Sequence, residues 1–387
     1  MAKRVFSGII ILVLIFSLVS CKKVEEVNYE TFSASVIISE KALVDVTYSD
    51  EFVQRDNSQY YSDISSLCVT LSAATYHSKD EVEVGLNSLG FSGEESINYD
   101  SDEENKVAYT FAQREFNGEK TVIAVLRGSQ GKEWVSNFNI AESAYLNDDK
   151  SILERGYHEG FYLASQEFLT AFNKYAEKAG NVKNVIITGH SRGGAVSNIA
   201  AAQLIDENKY KVFCYAYASP NVKIMTDEEK QEGKYNSVFN IVNPEDSFTY
   251  MPASQWGFAR YGKEIRLDKT QTEIFDKFKA EYEELNGKAY GGGFENGYAD
   301  VKGCFDIVAE KNPDLDTYYK DGNSAYKTIN SFSQLFYGGE IDYMSLFFSA
   351  AMSGTADFLT FFMENGETIN DEHAAVTYVS WVLALAE

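Results

Sequence analysis

Proline is nearly absent from this chain, with four residues in 387. That scarcity excludes long proline-rich linkers, and no repeat or low-complexity tract stands out. Cysteine is equally sparse, at four residues. Cys21 closes an apolar N-terminal run, which leaves Cys68, Cys214 and Cys304. An odd number cannot pair completely, so a full disulfide framework is excluded. Cys214 lies in an apolar strand-like run and reads as a buried free thiol. Neither a CxxC nor an HExxH spacing occurs, so neither a metal site nor a cofactor is expected. Basic residues are outnumbered, 34 Lys and Arg against 58 Asp and Glu, for a formal charge of −24. Such a balance opposes binding to nucleic acid, or to an anionic bilayer by electrostatics alone.

Apolar and aromatic residues are plentiful. They make up 44% and 14% of the chain, with 26 Tyr and 26 Phe. The length suits one large α/β domain with additions, or two domains. At the start, Met1-Ala-Lys-Arg4 is basic and residues 5–19 are apolar, broken only by Ser and Gly. This run is short for a spanning helix and has the charge placement of a secretory signal. It ends Leu18-Val19-Ser20-Cys21, which resembles the lipobox of bacterial lipoproteins. That resemblance implies a signal peptide over 1–20 and a diacylated Cys21. The protein would then be held in the membrane of the cell envelope, facing outside the cytoplasm. Each buried CH₂ of such an anchor contributes about 0.8 kcal/mol.

Residues 21–57 are polar and acidic with one strand-like run at 35–38, and read as a tether plus an early edge element. Helical spacing over 62–76 predicts a packed helix. Two strand-like runs, 107–116 and 120–126, flank Asn117-Gly118, a hairpin signal. A long amphipathic pattern over 161–179 precedes the apolar run 184–188. Two further buried strands are expected at 211–218 and 238–243. Strands alternating with helices predict an α/β fold with a mostly parallel sheet flanked by helices. From 268 to 365 the pattern turns irregular and reads as an insertion or cap. Within it, 345–363 is strongly apolar and is expected to be a core helix packed on the sheet. Trp134 is expected to be a packing residue.

The run 184–188 enters Gly189-His190-Ser191-Arg192-Gly193, and a small-residue helical pattern leaves it. This is the strand, elbow and helix context that gives a Gly-x-Ser-x-Gly motif its meaning. Ser191 is therefore the candidate nucleophile. It needs a base, an orienting carboxylate and donors for an oxyanion. The chain has four histidines, His77, His158, His190 and His373. His190, beside the nucleophile, would point away from its working side. In this fold the chain order is Ser, then acid, then His, and only His373 follows Ser191. Asp246, after a buried strand at Asn243-Pro-Glu-Asp, is the candidate acid, with Glu245 left open on the residues alone.

These segments together resemble the class 3 (fungal-type) lipases of the α/β-hydrolase fold. The likeness is carried by six motifs in order, from Arg127-Gly-Ser129 with Trp134 and Asn137, through His158-x-Gly-Phe161 and the elbow, to Tyr217-Ala-Ser-Pro220. Asn243-Pro-Glu-Asp246 with Met251-Pro252, and His373 with Tyr378, complete the set. The spacing to Pro252 in that pattern favours Asp246 over Glu245. The resemblance implies a Ser191–Asp246–His373 triad, and an oxyanion hole from the backbone N–H groups of Ser129 and Arg192. It also implies cleavage of carboxylic esters, acylglycerols foremost, through an acyl-serine. Rival readings are a phospholipase A1 or acyltransferase on the same site, or a non-catalytic surface lipoprotein that keeps the fold. Three features depart from the family pattern. No histidine follows the acid loop at 258–262, the lid segment 130–135 has few apolar residues, and 127 positions separate Asp246 from His373.

Overall fold

The computed structural model describes residues 29–231, 233–320, 325–336, 338 and 341–386. The expected signal segment and Cys21 lie outside the described residues. Eleven strands run along the described chain. β1 (Thr31–Ser39) and β2 (Ala42–Ser49) form a hairpin, and β8 (Lys223–Ile224) pairs with β10 (Phe258–Ala259). The other seven make one sheet: β3 (Ser92–Ile97), β4 (Tyr109–Phe116), β5 (Glu119–Leu126), β6 (Val182–His190), β7 (Lys211–Tyr217), β9 (Val238–Val242) and β11 (Lys263–Arg266). Their order is β11-β9-β7-β6-β5-β4-β3. β5, β6, β7, β9 and β11 are parallel, while β3 and β4 add an antiparallel edge. Asn117 and Gly118 turn β4 into β5 with φ of 50° and 75°, the left-handed geometry that an Asn-Gly pair tolerates.

The central strands are apolar on both faces because helices cover both. On β5, Val122, Ala124 and Leu126 face the helices Glu159–Ala179 and Arg192–Glu207. Ile123 and Val125 face the opposite layer. That layer contains the helix Ser62–His77, the β1–β2 hairpin and the C-terminal helix Ala375–Ala386. The period-2 alternation of strand side chains thus feeds two cores. With the strand–turn–helix elbow of Ser191 at the carboxyl end of β6, this is the α/β-hydrolase architecture.

Three expectations differ from what is observed. Residues 31–49, read as a tether with an early edge element, form a hairpin packed on the helix Ser62–His77. The physical reason is its alternation: Val36 and Ile38 on β1, and Val44, Val46 and Tyr48 on β2, share one buried face. The expected insertion over 268–365 is not one body. Its first helix, Thr272–Asn286, belongs to the main core, where Phe278 stacks on Trp381 at 4.3 Å. The helices from Tyr298 to Glu364 form a separate layer with their own apolar cluster, joined to Phe138, Ile140 and Phe248.

The third difference concerns the apolar run 345–363, expected as one core helix on the sheet. Gly354, at φ 73°, divides it into Tyr343–Ser353 and Ala356–Glu364. Both lie in the cap layer, since the two sheet faces are already covered. Phe358, Leu359 and Phe362 are buried there, but Met344 is 82% and Phe348 68% exposed. Cys68, Cys214 and Cys304 are free and buried. No described helix is long and apolar enough to cross a membrane.

Candidate active site

β6 ends at His190, and the helix Arg192–Glu207 begins two residues later. Between them Ser191 has φ 56° and ψ −124°, a left-handed backbone for a residue with a side chain. Such a conformation costs about 1–3 kcal/mol and persists because the surroundings impose it. They do so through the glycines. A Cβ on Gly193 would sit 2.4 Å from the Leu126 carbonyl oxygen, and one on Gly189 would sit 2.5 Å from the Gly193 carbonyl. Only glycine lets the helix start press against the end of β5. The Ser191 N–H is tied to the Tyr217 carbonyl at 2.9 Å.

The structure brings the three expected triad residues together from separate parts of the chain. Ser191 Oγ is 2.8 Å from His373 Nε2. His373 Nδ1 is 2.9 and 2.8 Å from the two Asp246 carboxylate oxygens. An ionised Asp246 accepts from Nδ1–H, which leaves Nε2 free to accept the serine proton. Asp246 is fully buried at the end of β9, where Tyr378 Oη donates to Oδ2 at 2.7 Å and the Phe248 N–H to Oδ1 at 3.0 Å. Glu245, disfavoured by the motif's spacing but left open on the residues alone, turns away to Lys269 at 2.9 Å. Phe248 packs against the His373 ring at 4.5 Å between centroids.

The other histidines take other roles. His158 caps the helix Glu159–Ala179 by accepting from the Phe161 N–H, and its Nε2 donates to the Asn137 carbonyl at 3.1 Å. Burial holds it down at about 3, so it stays neutral. His190 is also buried, with its Nδ1 2.7 Å from Tyr76 Oη. Burial, with the neighbouring His373 adding to it, holds His190 well below its ordinary value. Neither reaches Ser191 Oγ. His77 lies exposed at the end of its helix.

Of the two residues expected to supply oxyanion donors, Ser129 lines the same cavity as Ser191. Arg192 opens the elbow helix, whose N-terminus offers unpaired N–H groups to developing negative charge. The Arg192 side chain turns inward and is completely buried. Its guanidinium donates to the carbonyls of Lys106 at 2.9 Å and Glu104 at 3.2 Å, and to Asn137 Oδ1 at 3.0 Å. Burial lowers it to about 10, with the nearby Glu133 acting the other way. Asn137 completes the link: its Nδ2 donates to Ser129 Oγ at 2.6 Å. One amide therefore ties the Ser129 loop to the elbow residue. Asn137 belonged to a recognised motif, but the residues alone assigned it no role.

The cavity at Ser191 is mostly apolar. Ile38 of the hairpin tip, Trp134, Leu285 and Val376 wall it. Trp134 also stacks on Phe336 of the cap at 4.6 Å, so it packs and lines the cavity at once. A second apolar pocket, lined by Phe138, Trp256 and Phe358 among others, does not include Ser191. Among the described residues no group of three or more His, Cys, Asp or Glu is placed to hold a metal ion. Chemically, the arrangement can deprotonate a serine hydroxyl beside a half-enclosed apolar space, as acyl transfer requires.

Known proteins share this segment. Residues 123–256 match the family model for lipase (class 3). The matched stretch holds the elbow, Ser129, Asn137 and Asp246, and leaves out His373, the hairpin and the cap. A secreted mono- and diacylglycerol lipase of Fusarium solani is 27% identical over 157 residues, 39% of this chain and 45% of the relative. The chain thus matches less than half the length of that relative. Among solved structures, the mono- and diacylglycerol lipase of Aspergillus oryzae is 18% identical, with a TM-score of 0.37, covering 54% of this chain and 81% of its own. The Rhizomucor miehei triacylglyceride lipase is 18% identical, with a TM-score of 0.34, covering 62% and 84%. The fold assignment rests on the strand order and on the elbow at Ser191.

Proposed function

We propose that this chain is a class 3 lipase-type serine hydrolase that cleaves carboxylic esters, with acylglycerols as the main substrates. The reading is carried by one observation: the unbroken line from Asp246 through His373 to Ser191 Oγ, with contacts of 2.8–2.9 Å. Ser191 attacks the ester carbonyl while His373 takes its proton. The tetrahedral oxyanion is held by the N–H groups of Ser129 and Arg192. His373 then protonates the leaving alcohol, water repeats the sequence on the acyl-serine, and the fatty acid leaves. Asp246 keeps His373 in the correct tautomer and stabilises its imidazolium. Loss of one oxyanion donor is expected to cost about 10²–10³-fold in rate.

The mostly apolar cavity supports an acyl chain as the group transferred, and the matched relative, named as a secreted mono- and diacylglycerol lipase, supports the substrate class. The chain is placed outside the cytoplasm, anchored through an acylated Cys21, on the strength of its N-terminal sequence. A fluorophosphonate probe tests the chemistry. Wild-type protein should be labelled and Ser191→Ala should not; absence of wild-type labelling would end the proposal. Incorporation of labelled palmitate that disappears in Cys21→Ser tests the anchor separately.

A further inference from the structure

The residues immediately before the proposed acid and the proposed base share one cation. Glu245 precedes Asp246 and Glu372 precedes His373, and both side chains reach Lys269. Its Nζ lies 2.9 Å from Glu245 Oε1 and 3.1 Å from Glu372 Oε1. Lys269 comes just after β11, at the beginning of the long segment that parts acid from base. The group is enclosed: the Glu372, Glu245 and Lys269 side chains are 1%, 10% and 17% exposed.

Further contacts hold it. Asn243 Nδ2, at the end of β9, donates to Glu372 Oε2 at 2.6 Å and to the Glu372 carbonyl at 3.1 Å. Tyr290 Oη bonds both Lys269 Nζ and Glu372. The Phe294 N–H donates to Glu245 Oε2 at 3.0 Å, where Gly293 leaves the space that a Cβ would fill. Two carboxylates repel in a site with little water, and one ammonium between them converts that repulsion into a crosslink. Burial raises Glu372, with Glu245 adding to the effect and Lys269 opposing it.

The crosslink bears on alignment. Asp246 and His373 stand 127 positions apart, and the cap folds between them. Their loops must nevertheless present His373 to Asp246 on one side and to Ser191 on the other. A displacement of about 1 Å in such a line can cost about 10²-fold in rate. Lys269, Glu245 and Glu372 do not line the Ser191 cavity. We propose that Lys269 is a positioning residue, which holds the Asp246 and His373 loops at catalytic spacing by bridging Glu245 and Glu372. The inference rests on the acyl-serine reading above.

The test is Lys269→Met in the full chain, assayed with a short nitrophenyl ester beside Lys269→Arg and an exposed control, Lys302→Met. For Lys269→Met, kcat should fall about 10²-fold while KM stays within about twofold. Fluorophosphonate labelling of Ser191 should slow in parallel, and the low-field proton resonance of the His373–Asp246 hydrogen bond should be lost. Lys269→Arg should restore most of kcat, and Lys302→Met should match wild type. Should Lys269→Met not fold, Glu372→Gln decides: it removes one charge, keeps the shape, and should lower kcat about tenfold at unchanged KM. Wild-type kcat and labelling rate in whichever variant folds, or a loss shared equally by Lys302→Met, overturns the positioning role. If wild type itself is not labelled, the acyl-serine reading falls first; if wild type and Lys269→Met label equally, only the clamp falls.

Discussion

The helices Ala375–Ala386 and Tyr343–Ser353 are alike as strings of residues. Both are apolar and neither carries a charge. The first buries Tyr378, Val379, Trp381 and Val382 against the sheet-side core, with Trp381 1% exposed. The second buries only Leu346 and Ala350, and turns Met344, Phe347 and Phe348 outward. Apolar content measures what a side chain gains if water is removed. It does not supply the surface that removes the water. The C-terminal helix finds that surface in the helices Ser62–His77 and Thr272–Asn286, while Tyr343–Ser353 lies on the outside of the cap.

If the sheet side carries chemistry and stability together, the largest effect should come from His373, two residues before the C-terminal helix. His373→Ala should lower ester turnover about 10⁶-fold with little change in melting temperature, since removal of a triad base disables the unit. Activity in that variant near wild type would show the base to be elsewhere. Next comes Trp381→Ala, which should destabilise by about 3–5 kcal/mol in urea unfolding, the usual cost of deleting a large buried aromatic.

A pH titration of stability sharpens the contrast further. His158 and His190 are neutral in the folded state and protonate in the unfolded chain below its ordinary histidine value, about 6.5. Their contribution is complete above that pH and is lost as the pH falls below it, for His158 down to about 3. Each adds a slope of up to about 1.4 kcal/mol per pH unit. His158→Gln should flatten the profile by about one proton, checked by urea unfolding at a series of pH values. The smallest effect belongs to the cap surface. Phe348→Ser should change stability by less than about 0.5 kcal/mol. A loss as large as that of Trp381→Ala would mean that this face is covered in solution, and the comparison would fail.

Much of the sheet was legible because its signals are local. The Asn117-Gly118 turn, the apolar runs of β5, β6, β7 and β9, and the elbow glycines each declare themselves within a few residues. Chain order alone pointed to His373. The residues that surround the candidate triad were harder to read. Nothing near Asn137 in sequence shows that its amide joins Ser129 to Arg192. Glu245 and Glu372 look like ordinary surface acids in a chain with 58 of them, until Lys269 is placed between them. The hairpin 31–49 was read as a tether with an early edge element because only 35–38 stands out as an apolar run, although Val44, Val46 and Tyr48 alternate regularly with Leu43, Asp45 and Thr47.

By itself the sequence determined which backbone each segment adopts around Ser191: a buried strand, a turn that only glycine permits, and a helix of small residues. Those outcomes depend on sterics and hydrogen bonding within about ten residues. Tertiary structure decided everything that needs a partner from far along the chain. It aimed Asp246 at His373 and its neighbour Glu245 at Lys269, a separation that the motif's spacing favoured but could not place in space. It also decided which of two apolar, uncharged helices became core, because burial is a property of two surfaces meeting, and one segment supplies only one of them.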